Sequence, residues 1–181
     1  MDGSDLRLRQ EKAPAKVLVI GVSGSGKTTL AQEISRRLNL PFLPTDPLYW
    51  GPNWQPVPVA QVMESVERHL AHEGWVLDGN FEDQHEQIWS RADTIIWLDY
   101  NLATILSRVT WRNVKWFLRG DVVWSQQRMT LSRAISGIRH SLRSYGRKKR
   151  LYRDLLSRMP DVCVLRFRSP RETSAWLKTL S

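Results

Sequence analysis

One cysteine, Cys163, stands among the 181 residues, so no disulfide can close within the chain and no cysteine-built zinc site is possible. No run of 18 or more apolar residues occurs, which excludes a hydrophobic membrane-spanning helix. Met1 to Lys12 is charged and has no apolar stretch of the kind a secretory signal needs. Acidic residues are scarce beyond Asp99. Residues 100–181 hold 4 of them against 18 Lys and Arg, a net +14, while residues 1–99 hold 14 acidic and 9 basic side chains, a net −5. Such asymmetry points the second half toward a polyanion: nucleotide phosphates, nucleic acid or an anionic surface. A composition of 41% hydrophobic and 25% charged residues is otherwise that of a globular chain. The length is that of one domain, able to bury roughly 70% of its surface on folding. These features predict a soluble, cytoplasmic protein.

The order of elements is legible in the spacing of apolar residues. Lys16 to Ile20 is a short, β-branched run and predicts a buried strand, followed by a glycine-rich turn from Gly21 to Gly26. Thr28 to Leu40 predicts a helix, with Leu30, Ile34 and Leu38 on one face and Pro41 after its end. Phe42–Thr45, Trp75–Asp78, Thr94–Asp99 and Val162–Phe167 predict four more strands. Val59 to His72 predicts a helix, and helical spacing runs from Leu102 to about Met159 with breaks expected at Gly120 and Gly146. Ser169-Pro170-Arg171-Glu172 has the cap, first-turn proline and third-position glutamate that open a final helix. Strands alternating with helices predict an α/β fold: a five-stranded parallel sheet covered on both faces, in three layers. Ligands of such sheets bind beyond the carboxyl ends of the strands. Asp46, Asp78 and Asp99 are all expected there.

Gly21-Val22-Ser23-Gly24-Ser25-Gly26-Lys27-Thr28 fits G-x-x-x-x-G-K-[ST] at every fixed position, after a strand and before a helix. Glycines let such a turn aim backbone N–H groups inward, and the helix N-terminus adds partial positive charge. Lys27 can reach the β- and γ-phosphates of a nucleotide, and the Thr28 hydroxyl can ligate Mg²⁺. Mg²⁺ held by phosphates needs one or two carboxylates. Asp78 and Asp99 compete for that place, and strand pattern alone slightly favours Asp99. Arg108, Arg112, Lys115 and Arg119 share one helix face; Arg139, Arg143, Arg147 and Arg150 repeat the arrangement. Arginine suits phosphate because its planar fork bonds two oxygens at once.

With these pieces in hand, the chain resembles the adenylate-kinase-type P-loop kinases, the nucleoside and nucleotide monophosphate kinase class. Within that class it is similar to small bacterial proteins described as adenylate-kinase-related or DNA topology modulation proteins. The resemblance rests on the phosphate loop, on Trp75-Val76-Leu77-Asp78-Gly79, on Asp99 followed by Arg108 and Arg112, and on the arginine-rich segment from Arg139 to Arg153. It covers roughly residues 16–178. It implies ATP and Mg²⁺ as cofactors, with Asp78 rather than Asp99 organising the metal beside Thr28. It implies nucleotide contacts from Gly21, Ser23, Gly24, Ser25, Gly26, Lys27, Thr28 and Thr29, Arg108 stacked on the adenine, and Arg112 near the phosphates. A lid over about residues 113–150 would bring further arginines, and Arg143 and Arg147 are our choice among them. Residues 16–181 would form one domain behind a flexible leader of residues 1–15.

The chain departs from that class after Asp78-Gly79, where an arginine commonly holds the acceptor's phosphate. Here the segment is Asp78-Gly79-Asn80-Phe81-Glu82, and Thr45 to Gln55 carries no arginine either. An aromatic pocket with Asp46, Tyr49, Trp50, Asn53 and Trp54 suits a nucleoside, sugar or other hydroxylated acceptor better than a phosphate ester. Asp46 could deprotonate the acceptor hydroxyl, or simply form the turn before Pro47. Surface positions are expected for His69 and His72, and a core position for Cys163. Two other readings stay open: a nucleic-acid-associated NTPase, and a nucleotide-binding module without turnover. Monomer and homodimer are equally compatible with the sequence.

Overall fold

The computed structural model describes residues 14–51, 55–119, 122, 123, 127, 128 and 131–180. The leader before Pro14, the break expected at Gly120, and Asn53, Trp54 and Trp124 lie outside the described residues.

Strand β1 (Lys16–Gly21) has solvent-excluded Val17, Leu18, Val19 and Ile20 at its heart. A strand apolar on both faces needs a layer on each. It receives parallel partners on both edges, β3 (Trp75–Asp78) and β4 (Thr94–Leu98), with Val19 opposite Asp78 on one side and Ile96 on the other. β2 (Phe42–Leu43) and β7 (Cys163–Phe167) complete the order β2-β3-β1-β4-β7, every neighbour parallel. The alternation of β1 divides the core. Val17 and Val19 face helix α1 (Lys27–Leu38) through Leu30 and Ile34, together with Ile105 and Val109 of α4 (Leu102–Arg119). Leu18 and Ile20 face α2 (Val59–Leu70) through Val62 and Val66, a short α3 (His85–Trp89), and Tyr152 and Leu155 of α5 (Leu131–Ser157). Each such buried aliphatic side chain is worth about 1.5–3 kcal/mol relative to an exposed one. The last helix, α6 (Pro170–Leu177), opens as its sequence predicts: Ser169 accepts from the Glu172 amide, and the Glu172 carboxylate accepts from the Ser169 hydroxyl and the Arg168 amide.

Several expectations need correction. β2 spans two residues rather than four, because the Thr45 amide turns away to bond the Asp78 carboxylate. α3 was not expected from the apolar spacing. A short antiparallel pair, β5 (Val122–Val123) with β6 (Gln127–Arg128), separates α4 from α5. Gly146 does not break a helix, since α5 runs through it without interruption. His69 is buried rather than superficial, its Nε2 3.0 Å from the Val76 carbonyl oxygen. No helix among the described residues is long and apolar enough to cross a membrane.

Candidate functional site

The loop leaving β1 reaches α1 through two residues held in the left-handed region, Gly24 at φ 84° and Gly26 at φ 92°. A Cβ at Gly24 would come 2.2 Å from Val109 Cγ2, and one at Gly26 would come 2.9 Å from Arg108 Nη1. α4 therefore lies directly against the loop, and only glycine fits beneath it. Arg108 donates to the Ser25 carbonyl at 2.7 Å and lies 5.1 Å from the centre of the Tyr100 ring. On the other flank, the Gly21 amide donates to Asn80 Oδ1 at 3.1 Å. The start of α1 has no side-chain cap and no acidic residue in its first turn. The first four N–H groups of a helix lack intrahelical partners and carry partial positive charge, so this terminus is chemically suited to an anion.

Lys27 donates to the Gly21 carbonyl at 3.1 Å. Loss of water around its ammonium lowers its pKa; Asp46 and Asp78 oppose that change, while Lys148 and Arg112 add to it. Thr28 Oγ1 donates to Asp78 Oδ2 at 2.5 Å, and Asp78 Oδ1 accepts from the Thr45 amide at 2.8 Å. Burial raises the Asp78 pKa, and the Thr28 and Thr45 hydrogen bonds restrain the rise. Asp46, exposed at the start of a 3-10 turn (Asp46–Tyr49), is felt electrostatically at Lys27, Asp78 and Arg112. Burial lowers the Arg112 pKa, with Asp46 acting against it. Five residues from four separate elements thus converge at the carboxyl ends of β1, β2 and β3: Lys27, Thr28, Asp46, Asp78 and Arg112.

Asp99 lies at the end of β4 but belongs to another cluster. Its carboxylate pairs with Lys149 at 2.7 Å and with Arg166, whose guanidinium sits 4.4 Å from the centre of the Trp97 ring. Thr28 therefore meets Asp78, not Asp99.

The arginines of α5 divide differently from expectation. Arg143 is exposed and falls roughly 140° around the helix from the inward-facing Lys148. Arg147 is 61% exposed and lies 3.2 Å from Glu82, whereas Lys148 is 15% exposed and pairs with Glu82 at 2.7 Å. Ser23 is half-buried, Ser25 buried and Thr29 exposed around the loop. Trp50 is exposed, and beside it the Gly51 N–H donates to the Gln55 carbonyl at 2.8 Å. Asn80, Glu82 and Lys148 escaped sequence reasoning. Their segment drew notice for the arginine it lacks, and Lys148 hides within a run of four cations, Arg147 to Arg150.

Oxygen donors of Thr28 and Asp78, side by side with Asp46 nearby, are the hard ligands that Mg²⁺ takes. Among the described residues no group of three or more His, Cys, Asp or Glu could hold a metal ion.

No protein-family model matches the chain, and no curated protein matches its sequence. Solved structures do. A shikimate kinase from Bacteroides thetaiotaomicron superposes with a TM-score of 0.58 at 15% identity, over 93% of this chain and 97% of that one. The fold is the P-loop kinase fold. A shikimate kinase from Acinetobacter baumannii in complex with shikimate gives a TM-score of 0.56 at 14% identity, over 91% of this chain and 89% of the other. A gluconokinase from Sinorhizobium meliloti gives 0.51 at 17%, over 92% and 93%. At such identities the P-loop kinase likeness is one of architecture, and the chemistry has to be argued from the site.

Proposed function

We propose that the protein is an ATP- and Mg²⁺-dependent phosphotransferase of the adenylate-kinase-like type, acting on a small hydroxylated acceptor. One observation carries this reading: Lys27 and the Thr28–Asp78 pair meet Asp46 and Arg112 beside an uncapped helix start. Mg²⁺ held by Thr28 and Asp78 would supply charge neutralisation on the phosphates. Lys27 and Arg112 bind and orient the γ-phosphate, and Arg108 braces the loop from outside while facing the base. Asp46 takes the proton of the acceptor hydroxyl as that oxygen bonds to the γ-phosphorus and the bond to the departing ADP breaks. Positioning and charge stabilisation carry most of such a reaction, and one well-placed cation is worth about 10³–10⁵ in rate. The shikimate kinase and gluconokinase neighbours act on hydroxylated acceptors, and the missing arginine after Gly79 argues for the same class here over a nucleoside monophosphate. In this reading residues 16–181 form a single catalytic domain with a lid over about 113–150 that carries Arg143 and Arg147.

The test is ADP release with panels of nucleosides, sugars, polyols and hydroxy acids. A hit should show saturation in the acceptor and be lost in Lys27→Ala and Asp46→Ala alike. If no acceptor raises the rate above the water reaction, the kinase reading fails. A second reading has its own observation: Arg139, Arg143, Arg150 and Arg153 are all exposed on α5, a face suited to nucleic-acid phosphates. A gel-shift titration decides it, since backbone binding would weaken steeply with salt.

A further inference from the structure

Segment 78–82 is tied at both ends. Asp78 holds Thr28, Asn80 holds the Gly21 amide, and Glu82 reaches α5. On Glu82 three groups meet: the Lys148 ammonium at 2.7 Å, the Arg147 guanidinium at 3.2 Å and the Tyr152 hydroxyl at 3.2 Å. Tyr152 is fully buried and burial, followed by Glu82 itself, raises its pKa, so its hydroxyl stays a donor. Burial works against the Glu82 carboxylate, yet Lys148, Arg147 and Tyr152 together bring its pKa below the ordinary value. Arg147 stands mostly in water. Lys148 does not, and through Glu82 it is fastened to the segment whose Asn80 holds the Gly21 amide of the phosphate loop.

Resting on the nucleotide reading above, we propose that Lys148 is the cation α5 supplies to the nucleotide phosphates, and that Glu82 holds it in reserve until they arrive. The ammonium sits on a flexible stem with three rotatable donors. It can exchange one carboxylate oxygen for a phosphate oxygen without α5 moving as a body. Tyr152 and Arg147 remain on Glu82 after the exchange, so the carboxylate is not left unpartnered. Segment 78–82 thus carries an acid that governs a lysine facing the donor nucleotide.

MgATP binding by calorimetry on the full chain tests this. Lys148→Met keeps the apolar stem and should weaken binding about tenfold or more, the loss of a charge-assisted hydrogen bond; Lys148→Arg should retain most of the affinity. Glu82→Gln keeps an acceptor for Tyr152 and should tighten binding about three- to fivefold, and in the Lys148→Met background it should change nothing. Unchanged affinity in Lys148→Met overturns the proposal. So does a Glu82→Gln variant that binds no tighter, or one that gains equally without Lys148. Thermal unfolding of each variant confirms folding, and should Lys148→Met fail to fold, Lys148→Gln takes its place in the same cycle. A native chain that binds no MgATP removes the nucleotide reading and this inference together, whereas native binding with unaltered variants removes only the inference.

Discussion

Gly24→Ala places two separate demands on the phosphate loop. The left-handed backbone at φ 84° disfavours a side chain by about 1–2 kcal/mol. The added methyl would also sit 2.2 Å from Val109 Cγ2, a contact no real Cβ makes. Val109 is 1% exposed and packed in the core beside Ile105, so it cannot swing into solvent. Relieving the overlap means shifting α4 or distorting its rotamer, an overpacking cost of roughly 1–3 kcal/mol. The sum predicts destabilisation of about 2–5 kcal/mol. The two demands can be separated experimentally. Val109→Ala alone removes two methyl groups from the core, about 1.5–3 kcal/mol at roughly 0.8 each plus the cavity term. In Gly24→Ala/Val109→Ala the clash disappears and only the backbone strain remains, so the double variant should be more stable than the sum of the singles by about 1–3 kcal/mol. Urea unfolding followed by circular dichroism measures all four corners of the cycle. Additivity within about 0.5 kcal/mol would mean that α4 does not press on the loop, and the proposed arrangement of Arg108 and Arg112 around the phosphates would fall with it.

Gly146 lies inside α5 with no atom within 4 Å of an added Cβ. Gly146→Ala should therefore stabilise the protein by about 1 kcal/mol and raise its Tm by about 2–4 °C; a fall in Tm would restore the break that the sequence suggests. His69 has its pKa lowered from 6.5, chiefly by burial. The folded state then binds fewer protons than the unfolded one below that value, so stability is full above pH 6.5 and declines as pH falls toward the folded pKa. His69→Gln should flatten urea midpoints across that interval, and an unchanged slope would refute the role assigned to burial.

The fold was written in local pattern wherever strands were wholly apolar. Val17–Ile20 and Thr94–Leu98 need no knowledge of their neighbours to declare themselves buried, and Ser169 with Glu172 declares a helix start. Tertiary context overrode pattern elsewhere. A glycine in a helix costs about 1 kcal/mol, but around Gly146 the helix is fastened by Tyr145 to the Tyr100 carbonyl, by Lys149 to Asp99 and by Lys148 to Glu82. Those bonds join residues 45 to 66 positions apart, beyond the reach of any periodicity. His69 was misplaced for a related reason: its helix reads as polar, and only the position of the Val76 carbonyl turns the ring inward. At the site, the loop was legible because its spacing is its chemistry. Strand pattern alone leaned toward Asp99 and only the resemblance chose Asp78, since what sets Asp99 apart is its pairing with the distant Lys149 and Arg166.

The loop at Gly21–Gly26 is braced from three sides: Asn80 on the Gly21 amide, Arg108 on the Ser25 carbonyl, and the Ser25 amide on the Val22 carbonyl at 3.1 Å. Its conformational entropy is thus surrendered during folding rather than at ligand capture. On the proposed nucleotide reading the loop itself then has little to rearrange on encounter, and the rate of capture should fall as salt screens the basic half.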